Sequence, residues 1–330
     1  MWYDINKTLT HNALINIIIG PRGYGKTYAL KKRAIENFIK RGQQFIYLRR
    51  FQAELDLVKE GLFNDIIVNG EFNSPVEYKE NCYFYDDNLV GYAMALSRAN
   101  HYKSASFPFV STIIFDEFII DQTQNAHYLK NEVRKLLDFI ETVARMRDNI
   151  KVFLLANSLS FINPYTLYWD IKKPVNGSVA KAQNNLVLLE LVGDDEFREA
   201  KNKTLFGQLI KDSEYSDMSI NNQFILDSDT FIQEKPGICR YSFTIDFRNI
   251  KYGVWNDYNN SLFYIDEHID PSCKITYSIT IDDHNPDSIL LTRSKSGPFY
   301  TLNQAFKQGL VRFSNLKTKS ALMEVFKNSL

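Results

Sequence analysis

Eight consecutive residues, Gly20-Pro21-Arg22-Gly23-Tyr24-Gly25-Lys26-Thr27, satisfy the spacing G-x-x-x-x-G-K-[ST] in full. Glycines at Gly20, Gly23 and Gly25 let the main chain wrap an anion with its N–H groups turned inward, and a helix starting at the loop's end adds the positive end of its dipole. Lys26 would then neutralise the β- and γ-phosphates of a nucleotide, and the Thr27 hydroxyl would hold Mg²⁺. Arg22 is an added cation inside the loop. It either senses the γ-phosphate or is solvated at the surface, and residue type leaves both open.

A second group is suited to the chemistry of a bound triphosphate. Ser111 to Phe115 is a largely apolar run that ends in Asp116-Glu117. An aspartate at the end of a core strand completes a Mg²⁺ shell, and the glutamate after it polarises the attacking water. Neighbouring residues at a strand end face different sides, so Asp116 can meet the metal while Glu117 meets the γ-phosphate. A guanine-nucleotide switch is disfavoured: Asp116-Glu117-Phe118-Ile119 is not Asp-x-x-Gly, and the pairs Asn6-Lys7 and Asn202-Lys203 lack the aspartate of Asn-Lys-x-Asp. ATP is the expected nucleotide. Asn157 ends the run Leu154-Leu155-Ala156 and is either a γ-phosphate sensor or a residue that caps or turns the chain before Pro164.

On a helix expected over 131–147, Val133, Leu136, Leu137, Ile140, Val143 and Ala144 share one face and Arg134, Asp138, Glu141 and Arg145 the other. If one arginine reaches out to another subunit, this geometry selects Arg145, and a trans-acting arginine there would stabilise transition-state charge. The plain alternative is a surface pair with Glu141. Arg147 projects back toward the apolar side, suited to snorkelling or capping the helix end.

The elements needed to position these groups can be read from periodicity. Leu14 to Ile19, Phe45 to Leu48, Val110 to Phe115 and Lys151 to Ala156 read as strands, Thr27 to Ile39 as an amphipathic helix, and Tyr83 to Leu96 as a hairpin turning near Asp87-Asn88. Strands alternating with helices indicate a parallel α/β sheet covered on both faces. Lys172 to Asn185 is polar and reads as an exposed loop, and Asp194 to Lys203 is densely charged. Short strands follow at Tyr241–Phe247, Gly253–Trp255, Leu262–Ile265 and Ile275–Ile281, with a closing helix near Ser320–Phe326. The expected division is an α/β domain at 1–195, a linker at 196–226 and a smaller α+β domain at 227–330.

With 330 residues, 45% hydrophobic and 24% charged, the chain has the composition of a folded two-domain protein, not of a disordered or collagenous one. Lys plus Arg (39) equal Asp plus Glu (39), which argues against an overall basic coat for nucleic acid but leaves room for local basic surfaces. Residues 31–50 carry Lys31, Lys32, Arg33, Lys40, Arg41, Arg49 and Arg50 against only Glu36, and 293–327 form a second basic stretch. Either is a candidate DNA grip or a solvated helix surface. Cys82, Cys239 and Cys273 are far apart and in no metal-ligand spacing, as expected for reduced thiols. No apolar run approaches the roughly 20 residues of a membrane span, so no membrane association is expected.

Taken with the loop at Gly20, further segments resemble the genome-packaging ATPases of small short-tailed bacteriophages with protein-primed DNA replication. They are Gln44-Phe45-Ile46-Tyr47-Leu48-Arg49-Arg50, Val110 to Ile119, Asn163-Pro164-Tyr165, Asn222-Gln223-Phe224-Ile225, Gly253-Val254-Trp255 and Tyr264-Ile265-Asp266. The resemblance runs almost end to end. It implies an additional-strand, catalytic-glutamate (ASCE) P-loop ATPase domain followed by an RNase H-like domain that has lost its nuclease acids and docks on the portal and a structural packaging RNA. It also implies a homopentameric ring that works in the host cytoplasm, transiently on the portal (connector) vertex of a prohead, and drives double-stranded DNA inward. By motif matching, Lys26 and Thr27 take the loop roles, Asp116 and Glu117 the metal and water roles, Asn157 the sensor role and Arg145 the trans-acting role. Lys103 matches a second basic residue acting across the interface, although Tyr102, Phe107 and Phe109 make its surroundings unusually aromatic.

Two other readings stand beside the motor. A terminase-like packaging enzyme would need Asp246, Asp266, Asp282 and Asp283 to converge on metal ions, where turn and strand-end solvation is the expectation. A nucleotide-gated capsid assembly factor would bind ATP without repeated turnover.

Overall fold

Apolar runs short enough for strands and bounded by polar turns build the first unit. A one-turn helix, α1 (Ile5–Leu9), is capped by Asp4, whose carboxylate accepts from Asn6 N, and leads into β1 (Ile15–Ile19). There follow α2 (Lys26–Arg41), β2 (Gln44–Arg49), α3 (Gln52–Val58), α4 (Asn64–Val68), β3 (Val76–Lys79), β4 (Cys82–Tyr85) and β5 (Asn88–Ala95). After a 3-10 segment, Leu96–Tyr102, come β6 (Val110–Asp116), α5 (Glu132–Ala144), β7 (Lys151–Ala156), α6 (Pro164–Tyr168), β8 (Val179–Ala182), β9 (Val187–Leu191), α7 (Asp195–Asn202) and α8 (Leu205–Leu209). The structure is a computed structural model, and it describes all residues except 1, 121–126, 162, 175–178, 212–230, 292–295 and 329–330. The segment Asn222-Gln223-Phe224-Ile225 thus lies outside the described residues.

The sheet of this unit runs β3-β4-β5-β2-β6-β7-β1-β9-β8. From β5 to β9 every neighbouring pair is parallel, and β3, β4 and β8 add antiparallel edges. Strand β7 lies between the loop strand β1 and the acid strand β6, which is the additional-strand arrangement. Alternation divides each strand between two cores: Ile17, Ile19, Ile46, Leu48, Ile113 and Phe115 enter one, and Ile18, Phe45, Tyr47 and Ile114 the other. Covering both faces explains the near-continuous apolar runs in the sequence. Each such side chain, fully buried, contributes about 1.5–3 kcal/mol of transfer free energy.

Clustering divides the chain into Met1–Leu226 and Asp227–Leu330. The second unit contains β10 (Arg240–Phe247), β11 (Ile250–Asp257), β12 (Leu262–Asp266), β13 (Thr276–Ser278), β14 (Ile289–Leu290), α9 (Pro298–Lys307), β15 (Val311–Phe313) and α10 (Leu316–Asn328). Its sheet order is β14-β13-β10-β11-β12-β15. Three antiparallel strands, β10 to β12, are joined on the other side of β10 by the parallel β13 and β14, the order of an RNase H-like sheet. Phe243, Ile245, Val254 and Ile265 pack beneath Leu302, Leu322, Val325 and Phe326 of the two helices.

Three expectations need correction. Lys172 to Asn185 is not all loop, because Val179–Ala182 pairs with β9 and Ala180 and Ala182 pack on the core. The linker placed at 196–226 begins with ordered helices: Phe197 of α7 is buried against Tyr24, while Asp194 and Thr204 cap the two helices. The helix expected over 131–147 spans Glu132–Ala144, since Arg145 takes φ +50° and turns the chain.

Candidate active site

Leaving β1, the chain must turn sharply into α2, and Gly23 and Gly25 do this with φ of +84° and +88°, in the left-handed region that side chains disfavour. Gly20 is tight for a different reason: a Cβ there would lie 2.5 Å from Val192 Cγ2. Inside the loop Lys26 is buried, and its Nζ donates to the carbonyls of Gly20 (2.9 Å) and Pro21 (2.8 Å). Burial lowers its ammonium from 10.5 to about 8, against the pull of Asp116 and with the repulsion of Lys201.

Parallel pairing brings the end of β6 to the same edge of the sheet as the loop. Thr27 Oγ1 donates to Asp116 Oδ2 at 3.1 Å, and Tyr47 OH, from the end of β2, donates to the same oxygen at 3.2 Å. Burial pushes the Asp116 carboxyl above the usual carboxylate range, opposed chiefly by the Arg49 guanidinium. A hydroxyl and a carboxylate with their oxygens in contact are hard oxygen donors of the kind Mg²⁺ takes, so these two residues could hold that ion. Among the described residues no group of three or more His, Cys, Asp or Glu gathers around a metal position.

Glu117 has φ +55°, which turns its side chain away from the strand, and the side chain is 59% exposed. Its carboxylate accepts from Arg49 Nη2 at 2.5 Å. The main chain leaving Glu117 is held by Arg50, the residue that follows β2. Arg50 donates from Nη1 to the Glu117 carbonyl (3.3 Å) and from Nη2 to that of Phe118, while Nε and Nη2 engage both Glu132 oxygens at 2.8 and 3.1 Å. Tyr165 OH (2.6 Å) and Leu129 N (2.8 Å) also donate to Glu132. This buried network explains part of the segment Asn163-Pro164-Tyr165: Asn163 Oδ1 accepts from Tyr165 N and Thr166 N to start α6, which delivers Tyr165 to Glu132.

The remaining residues named from sequence are dispersed. Asn157 follows β7, between the ends of β1 and β6, with its side chain half-buried. Arg22 is exposed, and its carbonyl accepts from Lys201 Nζ at 2.6 Å. Lys103 is exposed beside a shallow cleft between the 3-10 segment and α5, with Lys135, Asp138 and Thr142. Of its aromatic neighbours, Tyr102 and Phe107 turn into the core while Phe109 is exposed. Arg145 lies at the far end of α5, about 20 Å of helix from Glu132. It is exposed, and its Nη2 donates to the Ala105 carbonyl at 3.1 Å. It therefore cannot meet the phosphate loop of its own chain. Arg147 closes the helix by donating to the carbonyls of Phe107, Pro108, Val110 and Val143.

Sequence reasoning counted Arg49 and Arg50 in a basic stretch and in a segment of the family resemblance but gave neither a role, and the same stretch holds two lysines that the structure also pairs within this unit. Lys31 donates to Asp65 and to the Leu62 carbonyl, and Lys32 to Glu71. Three of the seven cations, Lys31, Arg49 and Arg50, are thus buried within this unit, Lys32 is paired at its surface, and Arg33, Lys40 and Arg41 are half-buried or exposed. In the second stretch Arg312 is likewise turned inward, onto the carbonyls of Gly309 and Val311. Lys201, beside the loop, was read only as part of a charge cluster.

In the second unit Asp266 and Asp283 hydrogen-bond to different partners. Asp266 accepts from Lys235 Nζ (2.7 Å), Trp255 Nε1 (2.9 Å) and His268 N (3.1 Å), and Asp283 accepts from Arg248 N, Asn249 N and the Thr280 hydroxyl. Asp246 is buried on β10, where burial raises its carboxyl, Lys251 opposes the rise and the nearby Asp283 charge adds to it.

A family model described as podovirus DNA encapsidation protein (Gp16) matches residues 1–330. The chain is 38% identical over 329 residues to the DNA packaging protein of Bacillus phage phi29, covering 99% of this chain and 97% of that protein. To the DNA packaging protein of Bacillus phage B103 it is 38% identical over 321 residues, covering 97% and 98%. Among solved structures, it matches a chain of the bacteriophage Phi-29 viral genome packaging motor assembly with a TM-score of 0.79 at 37% identity, covering 100% of this chain and 99% of that one. The N-terminal domain of the phi29 DNA packaging ATPase matches 59% of this chain, with 98% of that domain covered, a TM-score of 0.54 and 36% identity.

Proposed function

Because this chain belongs to the podovirus DNA encapsidation protein family, we propose that it is the ATPase subunit of a phage genome-packaging motor, coupling ATP hydrolysis to the passage of double-stranded DNA through a portal into a prohead. The observation that carries the chemical part is the Thr27–Asp116 contact, which joins the phosphate loop and the acid strand at one sheet edge. Thr27 and Asp116 would hold Mg²⁺, which when bound with ATP neutralises phosphate charge and orients the γ-phosphate. Lys26 moves its ammonium from two loop carbonyls to the β- and γ-phosphates. Glu117 orients the attacking water and accepts its proton once its carboxylate leaves Arg49. Asn157 reads the γ-phosphate from the end of β7, with Arg22 as a further cation at the loop.

Arg145, remote from its own loop, serves the nucleotide of a neighbouring subunit, and Lys103 acts across the same interface. The assembly is a homopentameric ring, located in the host cytoplasm and transiently on the portal vertex, with a structural packaging RNA as a further partner of the second unit. The separate engagement of Asp266 and Asp283 favours a docking role for that unit over a nuclease.

The test is ATPase activity with proheads and DNA. Glu117→Gln should still bind ATP while turnover falls by about 10²-fold or more. Arg145→Ala should be inactive alone and, mixed with wild type, should depress activity beyond its mole fraction. Full activity from Arg145→Ala alone refutes the trans-acting role, and undiminished turnover in Glu117→Gln refutes the catalytic assignment.

A further inference from the structure

Beside the phosphate loop stands an aromatic group that none of the phosphate chemistry uses. Trp2 is 65% exposed, yet it is held in place: the Tyr3 N–H donates to the Tyr24 carbonyl at 3.0 Å, strapping the start of the chain to the loop. A Cβ built on Gly25 would come within 3.4 Å of Trp2 Cε3, so the indole lies against the residue immediately before Lys26. Its support comes from α7. Phe197 meets Trp2 edge-on, with centroids 6.2 Å apart, and is itself buried and packed against Tyr24 at 5.1 Å. Lys201, one turn further along α7, sits over the Phe197 ring at 5.5 Å while its Nζ donates to the Arg22 carbonyl.

From these contacts the geometry points to a base-binding platform: Trp2, propped by Phe197, stacks on the base of the nucleotide whose phosphates the loop holds, and Lys201 borders the passage between base and phosphates. This rests on the nucleotide reading proposed above and names how the same site takes the other end of the ligand. A large apolar surface left open beside a loop that carries Lys26 and borders Lys201 has a physical use if a flat π-system covers it. Stacking of a base on an aromatic side chain tolerates any base, so Trp2 should add affinity without choosing among purines. It also gives α7 a direct stake in whether nucleotide is bound, because Phe197 and Lys201 lie on one helix.

The experiment uses the full chain and three ligands, Mg²⁺-ATP, Mg²⁺-GTP and Mg²⁺-tripolyphosphate, the last having phosphates but no base. Trp2→Ala should weaken ATP and GTP alike by about tenfold and leave tripolyphosphate unchanged, whereas Trp2→Phe should restore most of the affinity. Binding of ATP to wild type should also quench a tryptophan signal that Trp2→Phe lacks. Unchanged ATP affinity in Trp2→Ala overturns the platform, as does an equal loss for tripolyphosphate, which would mean that Trp2 only props the loop. If wild type binds neither ATP nor tripolyphosphate, the nucleotide reading itself fails and this inference with it.

Discussion

Nucleotide binding should draw a proton from solvent in mildly alkaline solution, and Lys26 sets the amount. Burial leaves its ammonium at about 8 rather than 10.5, and among the described residues it donates to two neutral carbonyls. Phosphate oxygens in place of those carbonyls favour the charged form and return its pKa toward the ordinary value or above. The sign follows directly: before binding, the lysine loses its proton as pH rises through 8, whereas the bound form keeps it, so binding takes up a proton and weakens with increasing pH. The uptake should be about 0.1 proton at pH 7, about 0.5 at pH 8 and about 0.9 at pH 9, and affinity should fall about tenfold from pH 7 to pH 9. Calorimetric titration of a slowly hydrolysed Mg²⁺-ATP analogue in buffers of differing ionisation enthalpy measures this uptake. Lys201, also lowered by burial and by Arg22, is a second titrating group. Repeating the titration with Lys201→Gln isolates the Lys26 contribution. Proton release, or an uptake at pH 9 no larger than at pH 7, would refute the reasoning.

Two further outcomes follow from the groups around Glu117. Replacing Arg49 with Met frees the Glu117 carboxylate from its ion pair, so kcat for ATP at saturating Mg²⁺ and in the absence of DNA should rise several-fold; a fall in kcat would instead make Arg49 part of the catalytic set. Glu132→Gln leaves Arg50 buried without its counter-ion, and urea unfolding should register a loss of about 3–5 kcal/mol, with a loss under about 1 kcal/mol ruling out the network as a source of stability.

The chemistry-bearing core of the first unit was legible because its signals are local. Loop, flanking strand and following helix occupy 27 consecutive residues, from Ile15 to Arg41. The hairpin at β4 and β5 was equally visible, its turn built from Asp86 and Asp87 at positive φ. Elements with weak periodicity were lost: β3 and β8 are four-residue edge strands of mixed polarity, and α9 begins immediately after Gly297. The partners of Arg49 and Arg50 lay beyond sequence reasoning for a different reason. Glu117 is 68 residues from Arg49 and Glu132 is 82 from Arg50, so two cations that look like surface charge are recognisable as internal only when the sheet closes. Arg145 was placed on the correct exposed side, but its position across the sheet from its own loop required the length and direction of α5.

That helix is fastened at both ends. Glu132 ties its start to the guanidinium that grips the carbonyls after Asp116, and Arg147 ties its finish to the carbonyls of Phe107, Pro108 and Val110. Both ends of the helix are thus tied to the strand that carries Asp116 or to its exit, so the separation between Arg145 and the turn that aims Glu117 is set by one fixed length of hydrogen-bonded chain.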